Sequence, residues 1–382
     1  MRVGVITTSR ADYGIYQPLL RELSAAEDVD FGLLVSGTHL SDKHGYTIQE
    51  IQAAGYPIWA TVPSVPADYG PGDISRATGE TLAGFAHAFT ELHADLDFVI
   101  ALGDRYEMFA AVAATVPFNL KVVHLHGGET TLGAIDEKYR HAITAMSSIH
   151  FPSTDLYGER VAGIIGSTAS VLVVGSVSLD GLDEMKLPCS QEIAERFGID
   201  FGEPTILVTM HPETVAYQRN ESFARTLCQA LDRLSERYQI VVTLPNADTM
   251  GEIIRQQFYQ LRDSNQRIKL VENFGKVGYF AAMKYAKLLI GNTSSGLLEA
   301  PSLGRYAINL GDRQAGRARS ANVIDVPYDV ERILQAVAEV ENTGMIYTGE
   351  NVYVKYPDPA RRIVSALRGS LPTPYQAKRN DQ

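Results

Sequence analysis

Cysteine is nearly missing from this chain. Cys189 and Cys228 are its only two, too few and too far apart for a zinc site or a disulfide framework. Their scarcity fits a reducing, cytoplasmic compartment. Positive charge is also in short supply: 34 Lys and Arg stand against 45 Asp and Glu, a formal net charge of -11. That balance argues against a nucleic-acid partner or an anionic membrane surface. An anionic substrate would have to be drawn in by local arginines against a repulsive overall field. No apolar run approaches the roughly 20 residues needed to cross a bilayer. The opening Arg2-Val3-Gly4-Val5-Ile6-Thr7-Thr8 has an apolar core of strand length and lacks the longer one of a signal peptide. Low-complexity tracts and short-period repeats are missing too.

The chain does have length and a regular alternation of short apolar runs. Its 382 residues exceed one typical core and point to two domains. β-Branched runs recur at Val3 to Thr7, Phe31 to Val35, Phe98 to Leu102, Val122 to Leu125 and Val171 to Val174. They continue at Ile206 to Val208, Ile240 to Leu244, Lys269 to Val271, Leu288 to Ile290 and Ala307 to Leu310. Helix-like segments such as Ala281 to Lys287 lie between them, which reads as βα units with parallel sheets, about five strands in each half. The boundary is expected within Ser176 to Pro204, dividing the chain into domains at 1–178 and 179–356. A last amphipathic helix, entered through Pro357 and Pro359, covers 357–372 and is expected to return to the first domain; 373–382 is a polar tail.

The most informative stretch runs from His124 to His141, straight after the run Lys121-Val122-Val123. A strand that ends in a glycine turn and leads into a helix is where open α/β sheets place ligands. His124 and His126 alternate on one face of the strand end, and without a third ligand at a familiar spacing they read as a hydrogen-bonded pair rather than a metal site. Glu129, just after a double glycine, offers little to packing. Asp136 and Arg140 share a helix face, as do Glu137 and His141, with an intrahelical salt bridge as the plain reading of the first pair.

Other strand ends are also polar. Thr8-Ser9-Arg10-Ala11-Asp12 puts Arg10 where it could share an anion with a helix N-terminus. No Gly-x-Gly-x-x-Gly lies near it, which removes the main support for a nicotinamide or flavin dehydrogenase. Gly103-Asp104-Arg105 offers a base or hydroxyl acceptor in Asp104, or a simple helix cap. Asn292-Thr293-Ser294-Ser295-Gly296 before an apolar helix reads as a diphosphate cradle, with Glu299 five residues into that helix suited to a ribose. Arg313, Arg317 and Arg319 share a glycine-spaced loop whose guanidinium forks match phosphate. His211-Pro212-Glu213-Thr214 and Pro245-Asn246-Ala247-Asp248 complete the set. One half thus reads as built to bind a nucleotide diphosphate, the other to do acid/base work on what it carries.

These motifs, in this order, resemble the UDP-N-acetylglucosamine 2-epimerase family, and within it the hydrolysing branch of sialic and legionaminic acid pathways. The resemblance spans Thr8 to Arg317 and includes His126-Gly127-Gly128-Glu129, Arg140-His141-Ala142-Ile143-Thr144, Met210-His211-Pro212-Glu213-Thr214 and Glu299-Ala300-Pro301. It implies an α/β, GT-B-like fold of two Rossmann-like doubly wound domains facing a central cleft. It also implies a cofactor-free, metal-free reaction in which UDP is eliminated across C1 and C2 and water is added to the resulting glycal. By motif position Asp104, Glu129, Asp136 and His211 correspond to the catalytic residues. Arg10, Arg105, Arg140, Asn246, Ser294, Ser295, Glu299, Arg313 and Arg317 correspond to substrate contacts. A homodimer is expected from the family.

The interconverting, non-hydrolysing branch has a lysine where this chain reads Tyr13-Gly14-Ile15, and a different arginine loop. Both departures favour hydrolysis, giving N-acetylmannosamine and UDP from UDP-N-acetylglucosamine. The same chemistry on UDP-2,4-diacetamido-2,4,6-trideoxyglucose is the nearest alternative. A GT-B glycosyltransferase would leave the three carboxylates surplus, and a sugar-nucleotide sensor would be expected to have lost one of them.

Overall fold

The computed structural model describes residues 1–64, 66, 70–130, 135–213, 217–245 and 249–369. Candidate residue Asn246, Thr214 of the His211 motif, 131–134 of the His124 to His141 stretch and the tail therefore lie outside the described residues. The chain forms two compact units. The first comprises the described residues of Met1–Glu129, Asp136–Leu182 and Tyr353–Gln382, the second those of Thr130–Ile135 and Asp183–Val352.

Each unit is built on a six-stranded sheet whose pairings are all parallel. In the first, β1 (Arg2–Thr7), β2 (Asp30–Ser36), β3 (Ile58–Val62), β4 (Phe98–Leu102), β5 (Val122–Leu125) and β6 (Ile149–Phe151) lie in the order β3-β2-β1-β4-β5-β6. In the second, β7 (Thr205–Thr209), β8 (Gln239–Thr243), β9 (Ile268–Val271), β10 (Leu288–Gly291), β11 (Ala307–Leu310) and β12 (Val323–Val326) lie in the order β12-β11-β10-β7-β8-β9. Read from β9, the second order repeats the first. Both are Rossmann orders, with the reversal between β1 and β4 and between β7 and β10, and ligands in such sheets sit beyond the strand ends at that reversal.

Burial on both faces explains the near-continuous apolar strands. In β1, Val3 and Val5 pack with Leu19, Leu20 and Leu23 of the helix Arg10–Ala25, while Ile6 packs on the opposite face with Phe85, Phe89 and Met108. In the second unit Ile206 and Val208 face Leu227 and Leu231, and Leu207 faces Met283 and Ala286. Each such side chain removed from water stabilises the fold by about 1.5–3 kcal/mol.

The strand expectation differs from the structure at several places. β3, β6 and β12 are additional, making six strands per sheet rather than about five. The run Val171 to Val174 is not a strand of its own. It lies along β6 with only an isolated bridge, His150 to Val171, and bonds from Leu172 N to His150 O and Val174 N to Pro152 O. The closing helix Pro359–Arg368 starts with proline at its first turn, where no N–H is needed. Its Ala360, Ile363, Val364 and Leu367 join the core of the first unit beside Leu19 and Leu23.

Candidate active site

In the first unit the loop after β1 is organised by Asp12. Its carboxylate accepts from Thr8 N at 2.9 Å, Thr8 Oγ1 at 2.7 Å and Thr7 Oγ1 at 2.5 Å, and closes a capping box with Ser9. Arg10 is the first residue of the helix, exposed, with its Nε 3.3 Å from Glu50 Oε1.

A cluster of acids is gathered by Arg140. Arg140 is 3% exposed, and its guanidinium donates from Nη1 to His126 O at 2.8 Å, pairs through Nη2 with Asp104 Oδ2, and approaches Glu129 Oε2 at 3.8 Å. The plain intrahelical reading of Arg140 is therefore corrected: its ion pairs reach across to the β4 and β5 loops. Glu129 is held on its other side, where Oε1 accepts from Ser153 Oγ at 3.0 Å and lies 3.0 Å from His126 Nδ1. Gly128 permits this turn. It has φ +77, and a Cβ there would lie 2.4 Å from Tyr157 O. His126 also takes a left-handed conformation, φ 60.

Asp136, Arg140 and Thr144 form one stripe along the helix Asp136–Met146, spaced four residues apart. Burial, then the neighbouring Asp104, raises the Asp136 pKa to about 6, against the pull of Arg105 and Arg140. A half-buried carboxyl group beside a second acid keeps its proton to higher pH, which suits Asp136 to move between acid and base roles. Arg105 itself makes a two-point contact with the buried Glu107, Nη2 to Oε1 at 2.7 Å and Nε to Oε2 at 3.1 Å. Glu137 and His141 pair within the helix at 3.5 Å.

His124 and His126 do not pair with each other. His124 bonds to Thr144 Oγ1 and Gly103 O, both at 3.1 Å, while His126 faces Glu129. Successive side chains two apart part company here because the strand ends at Leu125 and the backbone turns left-handed. Among the described residues no group of three His, Cys, Asp or Glu side chains gathers to hold a metal.

In the second unit the loops after β7, β10 and β11 are joined through Asn292, a fully buried residue at the head of the expected diphosphate cradle. Its side-chain amide brackets the His211 peptide, and its carbonyl accepts from Arg313 Nη1 at 3.1 Å and Gln314 Nε2 at 2.8 Å. His211 is brought beside Arg313. Burial first, and then that arginine, push its pKa down to about 3, so the imidazole is neutral at physiological pH. Ser294 and Ser295 open a helix of one turn, Ser295–Leu298, and Glu299 is its buried C-cap. The expected longer helix carrying Glu299 in its interior is thus corrected; Pro301 follows too closely for another turn. Tyr279, unmarked in the sequence, bonds Thr209 Oγ1 at 3.0 Å and lies near Glu299, Thr293 and Ser295. Arg317 is partly buried in the β11 loop, whereas Arg319 is committed to Asp325 and Gln314 O.

Polar strand ends at the reversal of each sheet, acids in one and arginine, histidine and serines in the other, are the equipment of an enzyme acting on a nucleotide sugar. The UDP-N-acetylglucosamine 2-epimerase family model matches residues 21–368. The chain belongs to that family. A relative from Legionella pneumophila, UDP-N,N'-diacetylbacillosamine 2-epimerase (hydrolyzing), is 32% identical over 337 residues, 88% of each chain. Polysialic acid biosynthesis protein P7 of Escherichia coli is 32% identical over 367 residues, 95% of this chain and 92% of that one. The crystal structure of UDP-GlcNAc 2-epimerase from Neisseria meningitidis bound to UDP-GlcNAc superposes with a TM-score of 0.82 at 16% identity, covering 97% of this chain and 100% of that one. The fold is accordingly GT-B-like, with two Rossmann-like units, and the chain is an enzyme of the UDP-sugar 2-epimerase kind. Among the described residues no helix is long and apolar enough to cross a membrane.

Proposed function

We propose that this epimerase is hydrolysing: it converts UDP-N-acetylglucosamine to N-acetylmannosamine and UDP. The observation that carries the reading is the cluster of Asp104, Glu129 and Asp136 around the buried Arg140, with Asp136 half-buried and raised to about 6. A pyranose C2 proton has no neighbouring carbonyl to acidify it, so its removal must be coupled to loss of a good leaving group. A carboxylate takes the C2 proton, the C1–O bond breaks with its electron pair going to UDP, and a C1=C2 glycal forms. Water then adds a hydroxyl to C1 while a second carboxyl group returns a proton to C2 from the opposite face. The water's other proton passes to the carboxylate left behind, and the first carboxyl group releases the C2 proton to solvent. Asp136, raised by burial and by its neighbour Asp104, is suited to carry a proton in one step and release it in another, and Asp104 is assigned with it to the proton transfers at C2. Glu129 is assigned to proton movement together with His126, to which it is bonded.

Leaving-group stabilisation is assigned to the second unit. Arg313, Arg317, Ser294 and Ser295 are proposed to hold the diphosphate, neutral His211 to donate a hydrogen bond to it, and Glu299 to accept from the ribose. Arg105 and Arg140 would counter charge near the sugar, and Arg10 and Asn246 remain proposed substrate contacts. The assembly is proposed to be a homodimer.

A second reading is favoured by the 32% identity to the Legionella relative over 88% of both chains. The sugar would then be UDP-N,N'-diacetylbacillosamine, with the same atoms reacting. An NMR time course with EDTA and each UDP-sugar in turn tests both. Release of free N-acetylmannosamine supports the first reading. Reaction with the diacetamido sugar alone supports the second, and an equilibrium of two UDP-sugars would overturn hydrolysis.

A further inference from the structure

His124 is fully buried in β5, yet its ring bonds the elements that carry Asp104 and Asp136 and lies under the chain leading to Glu129. Its Nε2 lies 3.1 Å from Gly103 O, the residue before Asp104. A carbonyl can only accept, so Nε2 carries the hydrogen. Nδ1 is then the acceptor for Thr144 Oγ1 at 3.1 Å, on the same helix stripe as Asp136 and Arg140. The chain leading to Glu129 passes over this bond at Gly127, where a Cβ would lie 2.9 Å from Nδ1 and 3.1 Å from Thr144 Oγ1. Gly103, with φ +85, hands Asp104 to the cluster from a turn that the His124 bond secures.

We propose that His124 is a positioning residue that fixes the Asp104 turn, the Glu129 turn and the Asp136 helix in one arrangement. The inference rests on the epimerase reading above. It assigns the ring no proton transfer. Burial, with His150, Arg140 and His126 nearby, pushes its pKa down to about 3, so it keeps a single tautomer across the working range. A neutral ring that donates to one element and accepts from another sets distance and direction without adding charge to a site that already holds three acids.

Amide side chains separate its two bonds. In His124→Gln the amide nitrogen reaches the place of Nε2 and keeps the bond to Gly103 O. In His124→Asn the shorter amide reaches Thr144 but not Gly103. UDP release and sugar product are measured for both, with melting curves and UDP affinity alongside. His124→Gln should keep kcat within about tenfold of wild type, while His124→Asn loses about a hundredfold with KM changed less than about threefold. UDP affinity should be unchanged in both. Equal losses in the two variants, or a loss confined to KM, overturn the proposal. Should neither fold, Thr144→Val decides: a kcat about tenfold lower supports it, and wild-type kcat overturns it. A wild-type protein inactive on both UDP-sugars sinks the epimerase reading and this proposal with it, whereas an active wild type with an equally active His124→Asn sinks this proposal alone.

Discussion

The side chain of Asn292 treats His211 as a neighbouring strand would. Its Oδ1 accepts from His211 N at 2.7 Å and its Nδ2 donates to His211 O at 2.8 Å. The β10 loop thereby fixes the backbone of the β7 loop at the reversal of the second sheet. Asn292→Ala leaves both His211 backbone groups without this partner and should destabilise the fold by about 2 kcal/mol in urea titration. Asn292→Asp, which can still accept but no longer donates, should fall between. An Asn292→Ala variant as stable as wild type would mean that the bracket contributes nothing.

Close approach of β7 and β10 requires Gly291. Its φ is +148, and a Cβ would sit 1.9 Å from Thr209 O. Gly291→Ala should therefore cost more than about 2 kcal/mol or abolish soluble expression. Wild-type melting in this variant would contradict the geometry.

Arg313 lies between the Asn292 carbonyl and His211. Arg313→Ala should weaken binding of UDP itself by at least about tenfold, read by calorimetry without any turnover. Unchanged affinity would remove the arginine loop from the diphosphate site. The acids of the first unit should respond differently: Asp104→Asn, Glu129→Gln and Asp136→Asn should each lower kcat by about two orders of magnitude or more while UDP still binds.

Asp136 sets a pH dependence with a definite sign. Its pKa is raised from 3.8 to about 6, chiefly by burial and then by Asp104. The folded state thus prefers the protonated form. The stability this confers is complete below the ordinary carboxylate pKa and is lost as pH rises through about 6. Asp136→Asn should consequently raise the melting temperature by about 3 °C at about pH 8 and leave it unchanged at about pH 3. A variant no more stable at high pH than wild type would place the charge elsewhere.

Much of this was legible in the sequence, for identifiable reasons. Strands buried on both faces read as apolar runs, and β1, β2, β4, β5 and β7 through β11 could be found that way. β3 and β12 are edge strands with partly exposed residues, and β6 is three residues long, so none of them produces such a run. The acids, Arg140 and the arginine loop were visible as chemistry at strand ends. What linked them was not. Asn292 and Thr144 look like ordinary polar residues until tertiary contacts give His211 and His124 to them. Arg140 reads as a local partner for Asp136, because sequence spacing reports helix neighbours and not the β4 loop brought across the sheet. Arg10 opens the helix after β1 as expected, and its exposed ion pair with Glu50 could not be read from sequence spacing.

The helix Pro359–Arg368 is the last described element, yet its apolar face completes a core that begins at Val3 and Val5. On the ribosome, the unit whose synthesis starts first is therefore finished last. Until Ile363 and Leu367 emerge, Leu19 and Leu23 await their cover while the whole of Asp183–Val352 is made and can fold. A stop codon just before Pro359 would spare the second unit and release the first with an open seam, the state that chaperones bind and proteases remove.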